Sequence, residues 1–350
     1  MERVSVFRMR DFDEHERVLF VRDAASGLKA IIAIHNTRLG PALGGCRMYP
    51  YKSESAAITD ALRLSRGMSY KASIAGVALG GGKSVIIGDP SRDKTEALLL
   101  AFGRTIAGLG GAYIVGEDIG TNPNDMKLIR RETRAVSCLR QEDGGYGDPA
   151  PLTALGVIQA MRAALVVTRN NPELRGVSVA VQGAGNVGTH LCRLLIAEGA
   201  EVTVCDRDET AANQAKSLGA RVVRTQQIYS AKADIFAPCA IGATLNDASI
   251  GQLKAAIVAG AANNQLAAPR HADELARRGI LYVPDYVANG GGLISCAAEW
   301  YRTDPGEVRA RVLGIYDSCL AIFLGASRDG VTPNVAADRL ARARLCAEAA

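Results

Sequence analysis

Apolar positions along this chain follow two rhythms. Short unbroken runs alternate with longer stretches in which apolar residues recur every three or four positions. The run Ala30-Ile31-Ile32-Ala33-Ile34-His35 reads as a buried strand. Over residues 54–68, Ala57, Ile58, Ala61, Leu62, Ser65 and Met68 share one helical face, with Glu54 favourable at the start. Val85-Ile86-Ile87-Gly88 predicts a further strand, stopped by Asp89-Pro90. A second amphipathic helix over 94–107 and a strand over 112–115 follow. The helix after them starts beyond residues 141–151, the most turn-rich passage of the chain, where we expect a domain boundary.

Past that passage the pattern predicts a helix over 153–164, then strand, helix and strand over 177–181, 187–198 and 202–205. Short strands are expected at 234–237, 257–259 and 280–283, and a helical tail over 307–324. Strands that alternate with helices imply an α/β fold whose sheet is parallel and covered on both faces. A length of 350 residues favours two domains, expected over 1–140 and 150–325, with a last helix over 326–350 returning to the first.

Composition sharpens this picture. Hydrophobic residues at 48% and charged residues at 22% exclude general disorder. Glycine is frequent, 37 residues, without the three-residue period of collagen, so it points to tight turns and close backbone approaches. The longest run free of charge, 176–192, holds Gln182, Asn186 and His190, so no membrane span is expected. Neither a signal peptide after Met1-Glu2-Arg3-Val4 nor a lipidation motif is visible, and a cytoplasmic location is expected. Eight cysteines without a C-x-x-C pair read as reduced thiols. The four histidines lack metal-ligand spacing, so no metal is expected. A net charge of +5 without a basic stripe argues against a nucleic-acid partner.

Two glycine clusters carry the chemistry. Gly183-Ala184-Gly185-Asn186-Val187-Gly188 fits G-x-G-x-x-G between an expected strand and an expected helix. Asp206 closes the next strand, 18 residues after Gly188. This is the dinucleotide-binding pattern of a Rossmann-type, doubly wound domain. Gly183 permits the tight turn, Gly185 the approach of a pyrophosphate, and Gly188 close helix–strand packing, while the helix N-terminus favours the phosphates. Asp206 would accept from the adenosine ribose and repel a 2′-phosphate, which favours NAD over NADP, although Arg207 lies beside it.

The second cluster is Leu79-Gly80-Gly81-Gly82-Lys83-Ser84. A nucleotide-triphosphate loop would need glycine at 77, where Val77 stands, so that reading fails on spacing. Three glycines instead would let a substrate approach the amine of Lys83 closely. Lys71, placed just after the helix expected to end near Met68, would bring a second ammonium to the pocket, and two ammonium groups disfavour each other's charge. A neutral lysine near physiological pH is a competent general base. The plainer alternative is a pair of solvated surface charges. In Gly116-Glu117-Asp118-Ile119-Gly120 an acid between glycines at a strand end suits a site, though a turn cap accounts for it equally well.

Taken in order, these blocks resemble the leucine/phenylalanine/valine branch of amino-acid dehydrogenases, related to glutamate dehydrogenase, and above all its leucine-specific members. The resemblance runs over nearly the whole chain, through His35-Asn36-Thr37-Arg38-Leu39-Gly40-Pro41-Ala42-Leu43-Gly44-Gly45, Gly260-Ala261-Ala262-Asn263-Asn264-Gln265-Leu266 and Pro284-Asp285-Tyr286-Val287-Ala288-Asn289-Gly290 as well as both clusters. It implies an N-terminal α/β domain for substrate binding and oligomerisation, an NAD-binding Rossmann domain, a cleft between them, and a homo-oligomer. The implied activity is reversible, NAD-dependent oxidative deamination of an L-amino acid to its 2-oxo acid and ammonia.

The resemblance also assigns residues. Lys71 is similar to the lysine that holds the substrate carboxylate, Lys83 to the general base, and Asp118 to the acid that exchanges protons with the amine. Gly44 and Gly45 resemble the backbone against which the substrate fits. Arg47, Thr153, Ala240 and Asn263 fall where the family touches the cofactor, Asn263 also nearing the substrate. The side-chain pocket is expected from Leu43, Met68, Gly116, Ser137, Leu293 and Cys296. Leu43 stands where a glutamate enzyme needs a cation, so the resemblance implies a hydrophobic substrate. Overall likeness indicates a branched-chain amino acid, whereas Gly116 and Leu293 look more like a phenylalanine enzyme. From another functional class, a catalytically silent NAD-binding regulator would keep Gly183–Gly188 but not the lysine and acid.

Overall fold

The structure, a computed structural model, describes residues 5–347. They divide into two compact units. The first holds the described residues up to Asp148, Ser295–Asp304, and those from Ala341 onward; the second holds Pro149–Ile294 and Pro305–Leu340.

The first unit is built on a five-stranded sheet of β1 (Arg17–Asp23), β2 (Leu28–Asn36), β3 (Ala42–Tyr49), β4 (Gly80–Ile87) and β5 (Tyr113–Glu117), in the order β1-β2-β4-β3-β5. Side chains alternate across a strand, so each buried strand feeds two cores. Ile31, Ala33 and Val85 pack with Ala57, Ile58, Ala61 and Leu62 of helix α1 (Glu54–Ala75). On the other face Ile32, Ile34, Cys46, Met48, Ile86 and Tyr113 pack with Leu98, Leu99, Phe102 and Ile106 of α2 (Glu96–Ala107). Ser53 caps α1 by accepting the Ala56 N–H, and Gly76 ends it in the left-handed conformation at φ +63°. A short helix, α3 (Pro123–Ile129), follows β5 and opens with a capping box between Asn122 and Asp125.

This sheet corrects the expectation of parallel strands throughout. β2 runs antiparallel to both its neighbours, β1 and β4, whereas β4, β3 and β5 are mutually parallel. β1 and β3 left little trace in the sequence, because one is a half-exposed edge rich in charge and the other contains Gly44-Gly45. Helix α1 continues to Ala75, so Lys71 lies within it. β4 starts at Gly80, so the three glycines form strand rather than loop. A Cβ on Gly81 would lie 2.0 Å from the backbone N of Ser69, and one on Gly82 2.7 Å from the Tyr113 ring. These glycines seat the strand against a helix and a buried ring; they do not open space around Lys83.

The second unit begins with α4 (Ala150–Arg169) and carries β6 (Ser178–Gln182), α5 (Asn186–Ala197), β7 (Glu201–Cys205), α6 (Glu209–Ser217), β8 (Arg221–Val222), β9 (Ile235–Pro238), α7 (Asp247–Ile250), β10 (Ile257–Val258), α8 (Arg270–Arg277), β11 (Leu281–Tyr282) and α9 (Asp285–Ala288). Its six strands are all parallel in the order β8-β7-β6-β9-β10-β11. Counted within the unit this is 3-2-1-4-5-6, the doubly wound Rossmann order, with its switch point between β6 and β9.

The chain ends with α10 (Gly290–Tyr301), α11 (Pro305–Leu313), α12 (Ile315–Asp329) and α13 (Pro333–Ala347). The expected tail helix is thus two, parted at Gly314. The expected span 150–325 is interrupted, because Ser295–Asp304 belongs to the first unit. The buried carboxylate of Glu299 accounts for this: it accepts the backbone N–H groups of Cys138, Leu139 and Tyr146. From Ala341 onward α13 is also in the first unit, where Arg344 donates to the carbonyls of Ser73 and Ile74 at the end of α1. Against expectation, Ala150–Arg169 and Pro305–Asp329 are long and apolar enough to cross a membrane by length and composition alone. α4 packs that apolar surface on α5 and α12.

Candidate active site

In the first unit the parallel trio β4, β3 and β5 lies side by side, and Gly45 on β3 pairs in register with Gly116 on β5. Alternation along β4 puts Lys83 on the same face as Gly81, the face covered by α1. Lys83 is buried, with only 6% of its surface exposed, and its Nζ lies 2.6 Å from Asp118 Oδ2. A Cβ on Gly45 would sit 3.1 Å from that Nζ and 2.8 Å from Asp118 Cβ, so the absence of a side chain there creates the floor beside the pair. Gly44 has a different duty: its Cβ would meet the Gly82 carbonyl oxygen at 1.7 Å.

Asp118 follows directly on β5. Its N–H donates to Thr121 Oγ1 at 3.0 Å, which fixes the turn. Arg47 Nε donates to Asp118 Oδ2 at 2.9 Å, and the same guanidinium reaches Asp60 Oδ2 at 2.9 Å. Burial raises the Asp118 carboxyl, but the Lys83 ammonium and the Arg47 guanidinium outweigh it and hold the group down to about 2. Asp118 therefore remains a carboxylate, and Arg47, expected at the cofactor, joins Lys83 in keeping it one. Glu117 beside it moves the other way, raised by burial and by the nearby charges of Asp148 and Asp118.

The expected amino-acid pocket divides between the units. Leu43, Met68, Lys71, Gly116, Ser137 and Cys296 belong to the first, Leu293 to the second. Leu43 and Ser137 are buried, whereas Met68 and Lys71 are half-buried. The positive charge of Lys71 acts on the Cys296 thiol. Gly116 departs from expectation: the space its side chain would fill is taken by Cys138, whose Sγ lies 2.9 Å from the Cβ position. The missing methyl admits a thiol here and gives no added room for a substrate ring. Nothing in the local sequence marked Cys138 or Glu299, which act through contacts some 160 residues apart.

The second unit presents a cavity of about 620 Å³ at its switch point, lined among others by Gln182, Gly183, Gly185, Asp206, Arg207 and Ala240. Gly183 has φ +100°, and a Cβ on it would meet Ala240 and Cys239 at about 3 Å. Gly188 packs on the Gly183 carbonyl, 2.0 Å from its own Cβ position. Gly185 alone of the three faces open space, with nothing within 4 Å. It is also the N-cap of α5, with no side chain to cap the helix, so the site fits a pyrophosphate seated on the first turn. Ala184 is buried and donates its N–H to Asp206 Oδ2 at 2.6 Å; Asn186 is exposed and Val187 half-buried.

Other cofactor candidates sit nearby in this unit. Asn263 is exposed, and its Oδ1 accepts from Asn289 Nδ2 at 2.7 Å. Asn289 is buried, also donates to the Ala261 carbonyl, and carries an Oδ1 without a partner. Thr153 is buried on α4, and its hydroxyl donates to the Pro149 carbonyl at 2.9 Å. Beside the cavity, Gln182, Tyr229 and Thr244 form a hydrogen-bonded chain that the sequence did not signal. His271 does come together with Asp247 and Glu274 in a group able to hold a metal, which spacing had not suggested. Arg270 already engages both carboxylate oxygens of Asp247, at 2.5 and 2.7 Å.

Comparison with known proteins bears directly on these two sites. Residues 15–135 match the family described as the Glu/Leu/Phe/Val dehydrogenase dimerisation domain. Residues 144–211 and 207–311 match the Glutamate/Leucine/Phenylalanine/Valine dehydrogenase family. The chain belongs to the glutamate/leucine/phenylalanine/valine dehydrogenases. Leucine dehydrogenase of Geobacillus stearothermophilus is 49% identical over 343 residues, 98% of this chain and 94% of that protein. Valine dehydrogenase of Streptomyces albus is 49% identical over 335 residues, covering 95% and 92%. Among solved structures, L-tryptophan dehydrogenase from Nostoc punctiforme superposes with a TM-score of 0.85 at 46% identity, covering 96% of this chain and 97% of that one. As a member of this family the protein is an amino-acid dehydrogenase, an oxidoreductase with a nucleotide-binding domain for a nicotinamide dinucleotide.

Proposed function

We propose that this dehydrogenase catalyses the reversible, NAD-dependent oxidative deamination of a branched-chain L-amino acid, leucine foremost, to its 2-oxo acid and ammonia. The observation that carries the reading is the buried Lys83–Asp118 contact of 2.6 Å beside the side-chain-free Gly45. A silent regulator has no use for a buried ion pair on an open floor.

The first turn of α5 at Gly185 and the carboxylate of Asp206 would hold NAD, which would supply a hydride acceptor for the substrate Cα and so leave an iminium for this chain's residues to hydrolyse. Lys71 holds the substrate carboxylate by charge and so fixes the position of Cα. Lys83, once its ammonium has given up a proton, takes one from the attacking water, and the resulting carbinolamine collapses to oxo acid and ammonia. Asp118, kept anionic by Arg47, accepts from the amine and passes protons between it and Lys83. The contact between the two groups gives those protons a direct path.

Support for NAD comes from Asp206, whose carboxylate at the cavity repels a 2′-phosphate. Support for an aliphatic substrate comes from Leu43 in place of a cation and from the Cys138 thiol in the space left by Gly116. Leu293 and the likeness to a tryptophan dehydrogenase favour an aromatic substrate as the second reading. The match to a dimerisation domain supports a homo-oligomer, and the eight reduced thiols support the cytoplasm.

Steady-state kinetics with NAD and each of L-leucine, L-valine, L-phenylalanine and L-tryptophan decides between the readings. The highest kcat/KM is expected for leucine, with NADP at least tenfold poorer than NAD. A higher value for either aromatic amino acid selects the second reading, and no NADH from any of the four refutes both.

A further inference from the structure

We infer that Cys138 and Cys296 form a paired dithiol in the first unit that hydrogen peroxide converts to a disulfide. Their Sγ atoms lie 3.2 Å apart across 158 residues of sequence, and both side chains are half-buried. Four of the other thiols, at Cys46, Cys192, Cys205 and Cys319, are fully buried. These two residues are thus less enclosed than those four.

The pair is held from both sides. Cys138 has φ +65°, a left-handed conformation that non-glycine residues seldom adopt without support. The support is Glu299, which accepts the N–H of Cys138 at 3.2 Å and of Leu139 at 3.3 Å. Glu299 follows Cys296 by three residues on α10, so one helix face presents both the clamp and the second thiol. Ser137 adds a hydrogen bond from its hydroxyl to the Cys296 carbonyl at 3.2 Å. Gly116 supplies the room in which the Cys138 thiol stands.

The two sulfurs differ in acidity. The contact with Cys138 lowers the Cys296 thiol, and Lys71 adds to that effect. The Cys138 thiol is raised, by that same contact and by burial. Cys296 is thus the nucleophile. Its sulfur attacks one peroxide oxygen, giving a sulfenic acid and one water. Cys138 sulfur then attacks the sulfenic sulfur, forming the S–S bond and releasing a second water. The two thiols lose two electrons and two protons in total, and the peroxide gains them.

The test is peptide mapping of the full-length protein under non-reducing conditions after treatment with hydrogen peroxide. A linked peptide joining Cys138 to Cys296, the loss of two thiols per chain, and reversal by dithiothreitol are expected. Cys138→Ser abolishes the link. Cys296→Ser, which removes the partner sulfur, abolishes it as well. Thiols consumed without that link, links among other cysteines, or no reaction overturn the proposal. The effect on turnover rests on the reading of Cys296 as a substrate contact: a tenfold or greater fall in kcat/KM for leucine is expected. A linked protein with unchanged turnover supports the disulfide and removes Cys296 from the substrate pocket.

Discussion

Lys83 and Asp118 illustrate how much a single residue's surroundings decide. An exposed pair of this kind contributes little, because water screens it; here the lysine is buried and the carboxylate is shared with Arg47. Lys83→Ala is expected to lower kcat by about a hundredfold to ten-thousandfold, the usual contribution of acid–base catalysis. NAD affinity measured by calorimetry should stay within twofold, and an equal loss of both would make the lysine structural. Asp206→Ala is expected to raise the preference for NADP relative to NAD by tenfold or more in kcat/KM. Unchanged selectivity would place ribose recognition elsewhere. Both residues were readable from sequence, since each stands at a strand or turn position with few alternatives. Arg47 was not: its sequence neighbours give no hint that it joins Asp118 to Asp60.

At the scale of elements, glycines that look alike do different work, and substitution separates them. Gly81→Ala places a Cβ 2.0 Å from the backbone of α1, an overpacking expected to cost about 3 kcal/mol in urea unfolding. Gly185→Ala points into open space, so its melting temperature should match the parent within about two degrees while NAD binding weakens at least tenfold. A stable Gly81→Ala protein, or tight NAD binding by the second variant, would contradict these assignments. The second unit was the more legible of the two because each strand there except β8 precedes its own helix, and that alternation announces a parallel sheet. In the first unit, β3 with its paired glycines owes its strand form to neighbours on both sides, and the edge strand β1 is diluted by charge. Such elements are set by pairing partners far along the chain, which local pattern does not contain. The same limit hid Cys138 and Glu299.

At the scale of the whole molecule, acid should weaken the protein through a buried histidine pair. His15 and His35 stack edge to face with ring centres 4.8 Å apart, below α1. Burial, the neighbouring His15 and Arg66 lower His35 to about 4 from 6.5, and Asp13 only partly opposes them. Between those values the unfolded chain binds a proton that the folded chain refuses, so stability is full above about 6.5 and is lost as pH falls toward 4. The loss approaches about 3 kcal/mol from this group. Urea unfolding at pH 7 and pH 4.5 should show it, and His35→Gln should lose distinctly less over the same interval; an identical loss would assign the sensitivity to other groups. Asp118, also lowered, acts in the same direction, but its contribution is lost only as pH falls from about 3.8 toward 2.

The bare floor formed by Gly45 has a consequence for descent. The proposed proton handling rests on β4 and the turn after β5, whereas several of the atoms that would select a side chain hang from other segments: the thiol of Cys138 well beyond β5 and Leu293 on α10. A lineage can therefore trade one nutrient for another by altering a few bystanders while the reaction machinery is inherited untouched.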